Sequence, residues 1–143
     1  MRRNICVSAI LLFCFCQLAQ AEQDAVVGQY WLPDRDGQFE IYRQGDLYFG
    51  KVIAYEIADA LDENNPDPEK AKLPFVGSTM FANFSYNQNR ARWEGGTIYD
   101  ARSGETYKCR MWFEDDDLAV LSARGYVGSP LFGRTETFAR VDQ

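Results

Sequence analysis

An all-β fold, an antiparallel up-and-down meander of about eight strands closing into a barrel, is what this 143-residue sequence predicts. Three observations carry that expectation. From Val26 onward, short runs rich in aromatic and β-branched residues recur at the spacing of a sandwich or barrel. Glycine-containing turn pairs separate several of these runs. Helical periodicity is weak throughout.

The runs are Val27 to Leu32, Phe39 to Gln44, Leu47 to Glu56, Val76 to Asn87, Ala91 to Ala101, Thr106 to Glu114, Leu118 to Val127 and Arg134 to Val141. Gly45-Asp46 makes a two-residue loop between the second and third, and Asp36-Gly37 and Ser103-Gly104 bring the same positive-φ chemistry to two other turns. Connections this tight make neighbouring strands antiparallel. In the sixth run Tyr107, Cys109, Met111 and Phe113 share one face, while Lys108, Arg110 and Glu114 share the other. Gly95-Gly96 interrupts the fifth run and shifts its parity, as a bulge or a sharp barrel bend does. The one long connection, from about Ile57 to Phe75, has the length of a lid, a binding loop or a disordered segment. Within it, Asp67-Pro68 is an N-cap and first-turn pair, which predicts a one- or two-turn helix through Lys72 before Pro74 stops it.

Residues 1–21 have the form of a secretory signal. Arg2 and Arg3 are basic, Ile5 to Cys16 is an apolar run too short to span a bilayer, and Ala19-Gln20-Ala21 is a small-x-small cleavage site. The expected organisation is therefore a signal peptide over 1–21 and a single barrel domain over 22–143, periplasmic or secreted, starting at Glu22. Cleavage takes Cys6, Cys14 and Cys16 with it and leaves Cys109 alone, so no internal disulfide forms. The mature domain sets 13 basic side chains against 21 acidic ones, a formal charge of −8. That balance works against nucleic acid and anionic lipid headgroups and leaves neutral, apolar or cationic partners as the easier ones. No run beyond the signal is long and apolar enough to be a membrane-spanning helix.

Histidine is absent, which removes Ser-His-Asp and Cys-His catalysis and any His-ligated zinc or iron. Carboxylates such as Asp62, Glu94 and Asp100 remain as general acid or base candidates, but no spacing pairs them. Asp62-x-Asn64 begins like a calcium loop, yet Pro66 stands where the next ligand belongs and Asp67 where the glycine belongs, so the match fails. Asp115-Asp116-Asp117 reads as a charged hairpin tip. No metal, no cofactor and no enzymatic activity is expected.

Two residue sets stand out instead. The inward row Tyr107, Cys109, Met111 and Phe113 is the candidate lining of a ligand cavity, with Cys109 a buried, inert thiol. The second set is a structural end seal. In a closed barrel the first and last strands are neighbours, so Arg140 is placed to stack over Tyr30 or Trp31 beside Gly28. Gly28-x-Tyr30-Trp31 with Arg140 resembles the structural signature of lipocalins and related calycins.

A longer likeness runs through Trp93-Glu94-Gly95-Gly96-Thr97-Ile98-Tyr99-Asp100, Gly104-x-x-Tyr107, Arg124-Gly125-Tyr126-Val127-Gly128 and Leu131-Phe132-Gly133-Arg134-Thr135, with Gly50-Lys51-Val52, Asn65-Pro66-Asp67-Pro68 and Val76-Gly77. In these segments the chain resembles the bacterial family called domain of unknown function 2147. The resemblance implies a small protein exported by a Gram-negative bacterium and a lipocalin-like barrel, and it brings no catalytic residues. Tyr30 and Phe138 stand where the family has tryptophan, and Ala101 where a proline commonly follows the aspartate.

The expected function is that of an exported, non-enzymatic barrel binding a small, largely apolar molecule. The alternative is an envelope interaction module with a filled core whose surface binds another protein; a carboxylate-based enzyme comes third. Cavity volume separates the first two, because a ligand-binding barrel needs an apolar space of a few hundred cubic ångströms.

Overall fold

The structure, a computed structural model, describes residues 20–115 and 117–141. Arg2, Arg3 and the run from Ile5 to Cys16, read above as a signal, lie outside the described residues. Eight strands follow one another: β1 (Gly28–Trp31), β2 (Gly37–Gln44), β3 (Leu47–Tyr55), β4 (Thr79–Asn87), β5 (Arg92–Asp100), β6 (Glu105–Phe113), β7 (Val120–Tyr126) and β8 (Arg134–Ala139). Each pairs antiparallel with the next, giving one sheet in the order β1 to β8. The sheet closes where Tyr30 bridges to Arg140 and the Val141 N–H donates to the Gln29 carbonyl at 2.9 Å. The result is a nearly closed up-and-down barrel.

Turn chemistry explains most of the register. Gln44 faces Leu47 across a two-residue loop in which Gly45 has φ +64°, a conformation a Cβ resists. Gly95, at φ +81°, sits inside the register shift between Trp93 and Gly96, so the anticipated bulge is real and bends β5 around the barrel. The Asp36-Gly37 expectation needs correcting. Positive φ falls on Arg35 (58°), and Gly37 instead opens β2, where a Cβ would lie 2.5 Å from the Ala54 carbonyl oxygen. The fourth strand also starts later than its apolar run, at Thr79. The preceding residues form a loop, with the Gly77 N–H donating to the Val52 carbonyl and the Val52 N–H to that of Ser78.

In the long connection the Asp67 carboxylate accepts from the Glu69 N–H at 3.0 Å, and the chain makes a single 3₁₀ turn over Lys70–Lys72. Other 3₁₀ turns cover Asp24–Val26, Gln88–Arg90 and Pro130–Phe132. The core is the barrel interior. Tyr30, Phe39, Phe81 and Phe138 pack as a ring cluster with centroids 5.0 to 5.8 Å apart, flanked by Ile41, Phe84, Met111 and Leu121. Phe138 packs edge-to-face on both Phe39 and Phe81, which adds to the burial of these rings.

Candidate functional site

One end of the barrel is closed by Arg140. Its guanidinium donates to the carbonyls of Ala25 (2.6 Å), Val27 (3.0 Å) and Leu118 (2.9 Å). The same group lies 4.8 Å from the Tyr30 ring centroid and 5.7 Å from that of Phe113. Gly28 makes room for it, since a Cβ there would collide with Arg140 Nη1. Burial pushes the Tyr30 phenol up to about 12 despite the lowering effect of Arg140, and its hydroxyl donates to the Val26 carbonyl at 2.9 Å. The structure thus brings Gly28, Tyr30 and Arg140 together. Trp31, one residue on and so on the opposite face, points outward with Arg35 5.9 Å from its ring.

The same end is capped by a segment that sequence reasoning missed. Residues 22–27 lie across the barrel mouth and are held from four strands. The Trp93 indole donates to the Gln23 carbonyl at 3.0 Å, the Tyr48 hydroxyl to Asp24 at 2.7 Å and the Tyr86 hydroxyl to Glu22 at 2.8 Å, while Arg43 pairs with Asp24 at 3.2 Å. Burial and then the Asp24 carboxylate push the Tyr48 phenol above its ordinary range. Each of these contacts links residues far apart in sequence, so no local pattern announces them.

The row Tyr107, Cys109, Met111 and Phe113 faces inward along β6. Cys109 and Met111 are 0% exposed and belong to the packed core, whereas Tyr107 and Phe113 are half-buried towards the two ends. Burial drives the Cys109 thiol up to about 12. Opposite this row the interior is occupied by Phe39, Phe81, Phe84 and Phe138.

The candidate carboxylates are each taken up by structural partners. Asp62 is only 3% exposed and accepts from the Tyr99 hydroxyl and the Asn65 amide, both at 2.7 Å. With Asn64 donating to the carbonyls of Ala101 and Arg102, it pins the long loop to β5 and the β5–β6 turn. Asp100 caps that turn, accepting from the Arg102 N–H and the Ser103 hydroxyl at 3.0 Å each. Glu94 is bound by Asn87 and Arg92; burial raises its carboxyl, but these partners and Arg90 outweigh it and hold the group below the usual range. Among the described residues no group of three or more His, Cys, Asp or Glu side chains is arranged to hold a metal ion. No helix there is long and apolar enough to cross a membrane.

The notable hollows lie on the outer wall over β5 and β6. Two adjoining depressions, of about 290 and 440 Å³, share Arg90, Arg92 and Arg110; Trp112 lines the first, and Tyr126 and Pro130 the second. Beside them the β7–β8 connection holds Leu131 and Phe132 84% exposed. That loop is nonetheless ordered, because Arg124 donates to the carbonyls of Pro130 (2.6 Å) and Leu131 (3.4 Å), and the Leu131 N–H donates to Ser129 Oγ.

Comparison with known proteins agrees with the architecture. A protein described as HP1028 of Helicobacter pylori, belonging to the lipocalin family, superposes with a TM-score of 0.68 at 19% identity, over 82% of this chain and 83% of that one. At that identity the likeness concerns the fold alone. No curated protein matches. Residues 28–140 match the family model described as an uncharacterized protein conserved in bacteria (DUF2147), and the span runs from the Gly28 that admits the seal to the Arg140 that makes it. With nearly the whole barrel inside that match, the chain belongs to the DUF2147 family.

Proposed function

We propose that this protein is an exported, non-enzymatic lipocalin-like barrel of the bacterial envelope that acts by binding through its outer surface. The observation that carries this reading is the packing of core rings inside the barrel, where Phe39, Phe81 and Phe138 meet with centroids 5 to 6 Å apart in the space an interior ligand would share. The ordered, exposed Leu131 and Phe132 and the hollows beside them give the outside the features a binding surface requires. An interior ligand is the second reading, favoured by the fold shared with a lipocalin.

A titration separates the two. The neutral apolar probe N-phenyl-1-naphthylamine is expected to show no stoichiometric binding to the mature protein. Cys109→Trp is expected to overpack the core and unfold the chain, because inserted volume has nowhere to go. One-to-one binding, abolished by Cys109→Trp with the fold intact, would overturn the outer-surface reading in favour of an interior ligand.

Export rests on Arg2, Arg3, the apolar run that follows them and Ala19-Gln20-Ala21. Cleavage after Ala21 would retain Glu22, Gln23 and Asp24, whose contacts close the barrel end. Mass analysis of protein recovered from the envelope fraction is expected to place the N-terminus at Glu22; retention of Met1 would refute export by this signal.

A further inference from the structure

We infer that the trough shared by Arg90, Arg92 and Arg110 on the outer wall is a site for a small oxyanion, a phosphate ester or polycarboxylate. This deepens the outer-surface reading and rests on it. The observed register carries an energetic cost. Arg110 of β6 stands directly opposite Arg124 of β7, and like charges facing one another across an antiparallel pair are destabilising. Arg124 is not free to move aside, since its guanidinium is fixed by Pro130, Leu131 and Thr135. Among the described residues Arg110 has no carboxylate within 4.0 Å and no hydrogen-bond acceptor for its guanidinium. The Trp112 ring lies 5.8 Å from it, and Arg110 lines both hollows, so its planar fork of donors is available to a ligand in the trough.

The neighbours sharpen the case. Arg90 and Arg92 bring two more positive charges to the same trough. The carboxylate among its lining residues, Glu94, is already bound by Arg92 and Asn87 and faces Arg90 at 3.7 Å. A chain whose mature form carries −8 has therefore gathered three arginines around one engaged carboxylate. Screening confines the repulsion of distant acidic groups to roughly 8–10 Å at physiological salt, so the local cluster governs contact. Trp112 lines the first hollow and Tyr126 the second, so the organic part of an anion would meet an aromatic side chain at either. The net charge alone predicted the opposite preference; the cross-strand register reverses it locally.

Inorganic pyrophosphate is the probe. Calorimetric titration of the mature protein at low salt is expected to give saturable one-to-one binding with a tryptophan fluorescence response, weakened about tenfold or more by Arg110→Gln. Arg35→Gln, which removes an arginine from the β1–β2 turn, should leave binding unchanged. The unfolding temperature of Arg110→Gln should equal or exceed that of the parent, because the like-charge pair is relieved. Sedimentation with phosphatidylglycerol but not phosphatidylcholine vesicles, dependent on Arg110, would identify a lipid headgroup as the source of the anion; pyrophosphate binding without sedimentation would identify a soluble one. No response to either probe, or equal losses in Arg110→Gln and Arg35→Gln, would overturn the site. Naphthylamine binding inside the barrel would overturn the outer-surface reading separately, whatever pyrophosphate does.

Discussion

Phe81→Ala is expected to destabilise the barrel by about 3–5 kcal/mol, a large part of the 5–15 kcal/mol typical of a domain. Phe81 is fully buried and sits among Phe39, Phe84 and Phe138 at 5.3, 5.9 and 5.8 Å, so truncation removes three ring contacts together with the burial of the ring. The surrounding side chains hang from a closed sheet and have little freedom to collapse into the gap. Equilibrium urea unfolding should show the midpoint falling by about 2 M at unchanged slope. Phe132→Ala supplies the contrast: the same side chain, 84% exposed, should change stability by no more than about 0.5 kcal/mol. A loss below about 1 kcal/mol at Phe81 would mean a loosely packed interior and would restore the case for an internal ligand.

Most strand positions were legible in the sequence because the runs are short and several end in turn chemistry that needs no tertiary context, whereas the start of β4 was not. β6 is the clearest case, with Cys109 and Met111 inward and Lys108 and Arg110 outward as alternation requires. Arg140 was legible as a seal because closing a meander forces the last strand against the first. Its partner was not fully specified, since adjacent Tyr30 and Trp31 differ only in parity and parity is set by the β1–β2 register. Asp62 was legible as a loop residue but not as an anchor, because its partner Tyr99 lies 37 residues away. The trough was hidden for the same reason. Arg90, Arg92 and Arg110 form a site only once β5 and β6 pair, and the conflict between Arg110 and Arg124 exists only in the observed β6–β7 register. Whether the barrel is hollow or full was not legible at all, because it depends on how rings from opposite walls meet after closure.

Arg140→Ala should lower stability by on the order of 2–3 kcal/mol, or about 10 °C in unfolding temperature for a domain of this size. Two contributions combine. The charged guanidinium serves three carbonyls from two segments, Ala25 and Val27 ahead of β1 and Leu118 ahead of β7, and its face covers the Tyr30 ring. Part of the loss is recovered by water reaching the freed carbonyls, which keeps the figure below the sum of the individual interactions. Arg140→Lys should restore only a fraction, since an ammonium cannot bridge three carbonyls in a plane while stacking on a ring. Amide hydrogen exchange locates the effect. Protection should fall first at Val26 and Val27, the residues between the Arg140 contacts and the Tyr30 hydroxyl, while β4 and β5 keep theirs. Gly28→Ala should reproduce that pattern from the other side, because its Cβ displaces the guanidinium without removing it. If both variants unfold like the parent and exchange stays slow at Val26, then Trp93, Tyr48 and Arg43 hold the end closed by themselves and Arg140 is dispensable to the seal.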